Sequence, residues 1–402
     1  MMPGTMTRLE LRANVSLASI FGLRMLGLFM IVPVFAQEAA HYPGGDNTRL
    51  IGLAMGIYGL TQAALQFVYG LASDRFGRKP VIVAGLLVFA TGSLVAAVAP
   101  SLLWLTVGRA LQGAGAVSAA VTALLADQTR DGVRTKSMAL LGVSMGLTFA
   151  LSLVVAPVLA AWGGLAAIFG LTGVLALLGI AAVIWWVPPE PALHQQQQPG
   201  GVLAVLRLPD LLRLNYGAFV LHGVQLAMWL AVPAMLVQAG LPPSAHWQVY
   251  LPVLVGSFVV MGGSFFQLEK RGWVRGAFLT SVALMGLVQL GLWWQVERQP
   301  PVFLVGALLF LFFYGFNVLE ACLPSMVSRL APLQTRGAAL GVYNTLQSLG
   351  FFAGGLLGGW AMQWGGAQAL FAGCGVFMGI WLLLAWPMQI PQVQALQAQV
   401  KA

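Results

Sequence analysis

This chain of 402 residues has few charged side chains. Asp, Glu, Lys and Arg together make up 8% of it, whereas a soluble domain carries about 25%. Apolar residues make up 59%, and the mean hydropathy is +0.85. A water-soluble fold built from this chain would have too few polar side chains to cover its surface. The composition therefore excludes a soluble enzyme and indicates a protein that crosses the membrane many times.

Cysteine is nearly absent as well. Cys322 and Cys374 both lie in apolar stretches, and the sequence has no C-x-x-C pair and no cluster of Cys and His. These absences argue against a disulfide framework and against a zinc site. The sequence also shows no phosphate-binding loop, nucleophile–base pair or cofactor fingerprint. We therefore expect no enzymatic activity, no cofactor and no metal.

Long apolar runs, in contrast, are abundant. A membrane-spanning helix needs about 20 residues, and the sequence contains twelve segments of that kind. They are 15–36, 51–73, 80–99, 102–126, 137–160, 165–187, 212–238, 247–268, 274–295, 301–326, 337–362 and 367–387. This pattern predicts an all-α membrane protein with twelve transmembrane helices.

The segments fall into two groups of six, which we expect to form pseudo-symmetric bundles. A polar, proline-rich stretch at 188–209 is predicted to be the linker between an N-terminal bundle, 1–187, and a C-terminal bundle, 210–390. Residues 391–402 are predicted to be a short cytoplasmic tail. The triplet at 135–137, TKS, resembles the triplet at 335–337, TRG. Parallel repeats of six spans are typical of one large transporter fold.

The basic residues are distributed unevenly between the loops. Sixteen of the twenty Lys and Arg residues fall in the loops of one side, termini included, and only Arg49 and Arg298 fall in those of the other. Basic loops face the cytoplasm, so we expect both termini to be cytoplasmic. The net charge of +9 therefore reflects topology, and we expect no nucleic-acid partner.

The loop after the second span reads GLASDRFGRKP, residues 70–80. It resembles the signature G-x-x-x-D-R-x-G-R-K/R of the major facilitator superfamily, and residues 108–113, GRALQG, resemble the family motif R-x-x-Q-G. Spans one, ten and eleven resemble those of a drug-efflux branch of the family. The resemblance covers essentially the whole chain and implies the major facilitator fold, in which two bundles rock around a central site.

Two departures from that pattern stand out. Members of the branch carry a soluble C-terminal domain, whereas this chain ends about fifteen residues after its last span. The exporter motif G-P-x-x-G-G is replaced by APVLAA at 156–161, so an export function does not follow from that motif alone.

The resemblance implies a conformational latch in the loop at 70–80. In the family, the aspartate matching Asp74 approaches the cytoplasmic end of span eleven in the outward-facing state. The arginine matching Arg78 pairs with an acid at the end of span four, which is Asp127 here. The alternative is that these charges only enforce topology. The candidate latch residues are Gly70, Asp74, Arg75, Gly77, Arg78, Lys79 and Asp127.

Ionisable residues inside the spans are candidates for coupling to protons. An arginine near the centre of a spanning helix costs about 2.5–3.5 kcal/mol on insertion scales, so it usually has partners. The resemblance implies that Arg109 controls a proton site, and the alternative is a structural anchor to Gln112 or to backbone carbonyls. Burial would let Glu320 cycle between its charged and protonated forms, unless it is permanently paired. Glu38, at the outer end of span one, is a further candidate, and the alternative is that it belongs to the periplasmic surface.

Polar side chains on the spans are candidates for contacts with a substrate, and each of them alone could instead be a hydrogen bond between helices. They are Arg24, Gln62, Gln66, Gln112, His222, Gln225, Asn317, Glu320, Asn344 and Gln347. Five glycines of span eleven, Gly350, Gly354, Gly355, Gly358 and Gly359, form small-xxx-small faces for which we expect close helix packing.

These features predict a secondary transporter of a bacterial inner membrane. We expect an antiporter that exchanges protons for small amphipathic or lipophilic compounds and so supports multidrug resistance. The alternatives are a sugar or metabolite transporter of the same fold and a non-transporting membrane sensor. The expected partners are a small-molecule substrate, protons and the lipid bilayer, and we expect a monomer.

Overall fold

The computed structural model of the chain describes residues 6–190, 205–270, 273–332 and 335–388. Within these ranges the chain is helical and contains no β-strand. The helices are α1 Arg8–Ile31, α2 Phe35–Ala39, α3 Thr48–Phe76, α4 Arg78–Ala97, α5 Leu102–Ala114, α6 Ser118–Asp127, α7 Asp131–Trp185, α8 Pro209–Met228, α9 Val232–Gln238, α10 Trp247–Lys270, α11 Val274–Gln295, α12 Val302–Leu330 and α13 Arg336–Ala385.

Helices long and apolar enough to cross a membrane account for almost all of this architecture. Ten such helices occur in the described ranges, with α5–α6 and α8–α9 each counted as one crossing. Their positions match the predicted spans to within a few residues, apart from the first, which begins and ends several residues earlier. Most of the predicted linker, 191–204, and the whole predicted tail, 391–402, lie outside the described residues.

Helix α7 is too long to be a single crossing. Its 55 residues would extend about 80 Å if straight, more than twice the thickness of the hydrocarbon layer. The chain reverses at Gly163 and Gly164, where Gly164 has φ +59° and ψ −156°, a conformation that favours glycine. Both ends of α7 accordingly meet the same end of α1. Ser137 Oγ lies 2.7 Å from Asn14 Nδ2, and the carbonyl of Trp186 accepts a hydrogen bond from Arg12.

Helix α13 repeats this arrangement 202 residues later, with its reversal at Gly365 and Gly366. Gly350, before the reversal, packs on Phe219, and Trp381, after it, packs on Gly217. Dividing α7 and α13 at their glycine pairs gives two segments from each. The ten crossings then become the twelve that the hydropathy predicts.

Side chains and one glycine set the ends of several helices. Thr7 and Glu10 form a capping box at the start of α1, and the Asn47 side chain accepts from two backbone N–H groups at the start of α3. Gly77, with φ +97°, separates α3 from α4. A residue with a Cβ would be strained there, which explains why the short basic loop is built on glycine.

The first half of the chain, α1–α7, and the second half, α8–α13, are each fastened at the side that carries the predicted cytoplasmic loops, which we call the basic side. In the first half Lys79, at the start of α4, donates to the carbonyl of Val187 at 2.7 Å. In the second half Arg275, at the start of α11, donates to the carbonyls of Trp386 and Met388 at 2.6 and 2.9 Å. The start of the third crossing is thus tied to the end of the sixth in each half.

At the opposite side the two halves meet in a close contact between α3 and α13, which we call the glycine seal. Gly52, Gly56 and Gly59 of α3 face Ser348, Phe352, Gly355 and Gly359 of α13. A Cβ added at Gly52 would lie 2.7 Å from the Cα of Gly359. The two backbones therefore touch without intervening side chains, as small residues in membrane helices permit.

Toward the basic side no comparable contact is described for the glycines of these two helices. No described atom lies within 4 Å of where a Cβ would stand at Gly70 on α3 or at Gly341 on α13. The close approach of glycines between α3 and α13 therefore belongs to the opposite side.

Candidate functional site

The first half buries an arginine without a carboxylate partner among the contacts described for it. Arg24, on α1, donates to the hydroxyl of Tyr58 at 2.6 Å and to that of Ser118 at 2.8 Å, and its guanidinium lies over the ring of Phe89. Its side chain is 2% exposed. Arg24 therefore joins α1 to α3, α4 and α6 inside the first half.

Arg109, on α5, is also buried, and Tyr58 connects it to Arg24. Its guanidinium lies 5.1 Å from the centre of the Tyr58 ring and donates to Gln112 Oε1 at 2.9 Å. It also approaches the carbonyls of Ala54 and Met55 at 3.4 Å. These contacts are the ones expected if Arg109 is a structural anchor to Gln112 and to backbone carbonyls. Its control of a proton site stays a prediction.

The second half places an imidazole beside a carboxylate. His222 Nε2, on α8, lies 3.2 Å from Glu320 Oε2 on α12 and 2.7 Å from the Gln347 amide on α13. His222 Nδ1 lies 2.9 Å from the carbonyl of Ala218. The side chain of His222 is 2% exposed and that of Glu320 is 37% exposed. Three helices thus bring together a buried imidazole and a partly exposed carboxylate, whose Oε2 is itself buried and has no hydrogen-bond partner.

The remaining polar candidates are distributed over both halves. Asn317 donates to Ser257 at 3.0 Å, and Gln112 donates to Ser93 at 2.8 Å, so both hold helices together. Gln66 is buried and its Oε1 has no hydrogen-bond partner. Gln62 and Gln225 are half-buried, and Asn344 is exposed.

Glu38 lies at the opposite side, on α2, far from the pair formed by His222 and Glu320. It is half-buried beside Gly164, and burial raises the pKa of its carboxyl, although the nearby His41 works in the other direction. The structure thus does not bring Glu38 together with the other two proton-coupling candidates.

A cluster of charges surrounds the loop at 70–80 on the basic side. Arg78 forms the ion pair with Asp127 that the resemblance implies, at 3.1 Å, and a second one with Asp74. Arg75 lies over the ring of Phe76. Asp74 is 62% exposed.

A further ion pair on this side lies between Glu10 and Arg130, which approach to 2.7 Å, and the carboxylate raises the pKa of the Arg130 guanidinium. Motif reasoning did not single out Glu190, although its carboxylate accepts from the first backbone N–H groups of α4, those of Arg78 and Lys79. Nothing in the local sequence PPEP signals this contact, because it depends on how the chain after α7 returns to the loop.

Comparison with known proteins shows the family to which this chain belongs. The sequence profile of the Major Facilitator Superfamily matches residues 17–354 and 268–401. The chain belongs to the Major Facilitator Superfamily. It is therefore a membrane transporter of that family and not an enzyme.

Individual relatives agree with this membership. The chain is 41% identical to the inner membrane transport protein YajR of Escherichia coli, over 99% of this chain and 88% of that protein. It is 25% identical to the multidrug resistance protein MdtH of Edwardsiella ictaluri, over 85% of each. The solved structure of the nucleoside transporter NupG superposes with a TM-score of 0.74 at 12% identity, covering 93% of this chain and 98% of that one. At that identity the likeness shows the fold alone.

Within the superfamily fold, sequence reasoning missed two tyrosines. Tyr58 lies between the two buried arginines, and Tyr343, on α13, is buried near Glu320 with a hydroxyl that has no hydrogen-bond partner. A tyrosine in an apolar span looks like core, so its role becomes visible only when the helices around it are placed.

Proposed function

We propose that this transporter exports small amphipathic or lipophilic compounds in exchange for protons, by alternating access between two six-helix halves. The observation that carries the proposal is the contact between the partly exposed Glu320 and the buried His222. An ionisable residue inside a membrane span is by default a candidate for a functional site, and proton relays are one such site. The relationship to a protein named for multidrug resistance supports the substrate class.

The surroundings of this pair favour an apolar substrate with few charges. The rings of Phe316 and Phe351 lie 5.9 and 5.0 Å from the His222 ring. Aromatic side chains of this kind offer large contact areas to lipophilic compounds with little loss of side-chain entropy. In this proposal the basic side is cytoplasmic, as the positive-inside rule requires, and the structure represents the state open to the cytoplasm.

The test is a proton flux in liposomes that contain the purified protein. A pH-sensitive dye inside the liposomes is followed while lipophilic cations, neutral drugs and sugars are added in turn. We expect a flux that depends on a lipophilic compound and is lost in Glu320→Gln. Glu297→Gln, which changes an exposed acid at the opposite side, is the matched control and is expected to keep the flux.

The other outcomes separate the alternatives. A flux driven by sugars alone would contradict drug export and support a metabolite transporter. The absence of flux with every compound would favour the non-transporting sensor. A flux that is unchanged in both Glu320→Gln and Arg109→Ala would remove these residues from the coupling site.

A further inference from the structure

We propose that the basic side of the second half binds the headgroup of an anionic phospholipid at Arg275, between the exposed indoles of Trp273 and Trp386. The site lies at the surface where α11 begins and α13 ends, and it does not depend on which substrate the protein transports. The orientation of the guanidinium, its uncompensated charge and the surface around it each point to this ligand.

Backbone carbonyls fix the guanidinium of Arg275. Its Nε donates to the carbonyl of Met388 at 2.9 Å, and its Nη2 donates to that of Trp386 at 2.6 Å. An arginine side chain carries five N–H hydrogens, so three remain, two on Nη1 and one on Nη2, and no described residue accepts from them. The carbonyls occupy one edge of the guanidinium, and the fork formed by Nη1 and Nη2 stays available. Such a fork matches two oxygens of a phosphate group.

The charge of Arg275 is not compensated by any described carboxylate. A backbone carbonyl is a neutral dipole, so the two contacts leave the net charge of the guanidinium unchanged. The ion pairs of the described residues do not include Arg275. Arg213, another arginine on the basic side of the second half, differs in this respect, because Asp210 pairs with it at 2.7 Å. Arg275 therefore presents a positive charge that an external anion can neutralise.

Two exposed tryptophans flank Arg275. Trp273 lies two residues before it and is 66% exposed, and Trp386, whose carbonyl Arg275 binds, is 63% exposed. Indoles concentrate where the hydrocarbon layer meets the headgroups, because the ring is apolar and its N–H is polar. The two rings therefore place Arg275, which is itself exposed, at the depth of the lipid headgroups.

Exposed apolar side chains continue from this site toward the middle of the bilayer. Leu383 and Ile380 lie three and six residues before Trp386 on α13, and both are exposed. Gly276, next to Arg275, has no described atom within 4 Å of where a Cβ would stand, so the surface beside the guanidinium is open. The acyl chains of a lipid held at Arg275 would therefore lie along an apolar surface.

Charge and surface together select the class of ligand. The segment at 269–275, EKRGWVR, contains three basic residues and one acid, and basic pockets between membrane helices are typical sites for anionic headgroups. A zwitterionic lipid carries a positive group beside its phosphate, which the guanidinium repels. A soluble phosphate gains nothing from the apolar surface or from the indoles. An anionic phospholipid is the ligand that uses every part of the site.

The test measures lipid binding to the purified, delipidated protein by native mass spectrometry. Phosphatidylglycerol and phosphatidylcholine with identical acyl chains are added in turn, and their dissociation constants are obtained from the bound fractions. One basic side chain near a membrane surface contributes about fivefold to the affinity for an anionic lipid. We expect the preference for phosphatidylglycerol to fall by about that factor in Arg275→Gln. Arg213→Gln, which removes a paired charge on the same side, is the matched control and is expected to keep the preference.

Several results would overturn the inference. Equal affinities for the two lipids in the unsubstituted protein would do so, and so would an unchanged preference in Arg275→Gln or an equal loss in Arg213→Gln. Glycerol 3-phosphate separates a lipid site from a site for soluble phosphates. At equal concentration it is expected to leave phosphatidylglycerol bound, and displacement of the lipid would refute the assignment to a phospholipid.

Two further variants cover the case in which Arg275→Gln does not fold, since Arg275 also joins α11 to α13. Arg275→Lys keeps the charge but presents no planar fork, and Trp273→Leu leaves the contacts of Arg275 with the backbone carbonyls in place. Both are expected to bind phosphatidylglycerol more weakly than the unsubstituted protein. Trp364→Leu, which changes an exposed tryptophan at the opposite side, is expected to bind it equally well. An affinity that is unchanged in both Arg275→Lys and Trp273→Leu would contradict the site.

Discussion

The glycine seal predicts that Gly355→Ala will shift the protein toward a state open at the opposite side. A Cβ at Gly355 would lie 2.7 Å from both the Cα and the nitrogen of Gly56 and even closer to the carbonyl oxygen of Gly52. Carbon atoms prefer a separation of about 3.5–4.0 Å, so α3 and α13 would have to move apart by about 1 Å. Rigid backbone atoms on both sides leave no side chain that could rotate away.

The magnitude follows from what overpacking costs. Extra methyl groups in a well-packed interface cost about 1–3 kcal/mol, and here the cost falls only on the closed state. Since each 1.4 kcal/mol is a factor of ten, the ratio of open to closed molecules should rise about 5- to 150-fold. The gain in helix propensity from glycine to alanine is the same in both states, so it cancels from the ratio.

The assay attaches spin labels at Arg49→Cys and Trp364→Cys, two exposed positions at the opposite-side ends of α3 and α13, and compares the distance between them in lipid nanodiscs at constant pH. Gly341→Ala is the matched control, because it makes the same change on the same helix where no described atom lies within 4 Å of the new methyl group. Gly354→Ala is a second control. It places a methyl against Gly223 within the second half, so it should lower the thermal midpoint without changing the ratio of states. An unchanged distance distribution in Gly355→Ala, or an equal change in Gly341→Ala, would refute the reasoning.

Two further predictions concern the ends of the helices. Glu190→Ala should lower the thermal midpoint, because about 1 kcal/mol of N-terminal capping is lost from α4. Differential scanning fluorimetry measures the midpoint, with Glu297→Ala as the control. Equal midpoints in the two variants would contradict the prediction. Burial raises the pKa of Glu38, so the folded protein disfavours the ionised carboxylate, and stability is lost as the pH rises from the ordinary glutamate value through the raised one. Glu38→Gln should therefore have a higher thermal midpoint than the unsubstituted protein at about pH 8 and the same midpoint at about pH 4, and a lower midpoint at the higher pH would be the contrary result.

Most of the fold could be predicted from the sequence because a bilayer leaves few choices. Hydropathy located the crossings, and the charges of GLASDRFGRKP located the loop that is built on Gly77. The ion pair between Arg78 and Asp127 followed from the family resemblance. In each case the feature depends on a short stretch of sequence or on a motif with fixed positions.

The arrangement of the candidate site could not be predicted in the same way. His222 and Glu320 lie on different helices, and a helix turns about 100° per residue, so an uncertainty of one residue in its rotation points a side chain elsewhere. The five glycines of α13 predicted close helix packing, but they did not predict which helices pack against them. Gly350 and Gly354 face α8, whereas Gly355 and Gly359 face α3. Only the placed helices show that one of these faces lies within a half and the other between halves.

The ties from Lys79 to Val187 and from Arg275 to Met388 have a mechanical consequence. Each joins the third crossing of a half to its sixth, which turns a row of helices into a ring that resists internal bending. Distorting either ring would break a hydrogen bond to a charged donor, and such bonds are about twice as strong as neutral ones. We therefore expect displacement of one ring relative to the other to cost less free energy than bending within a ring.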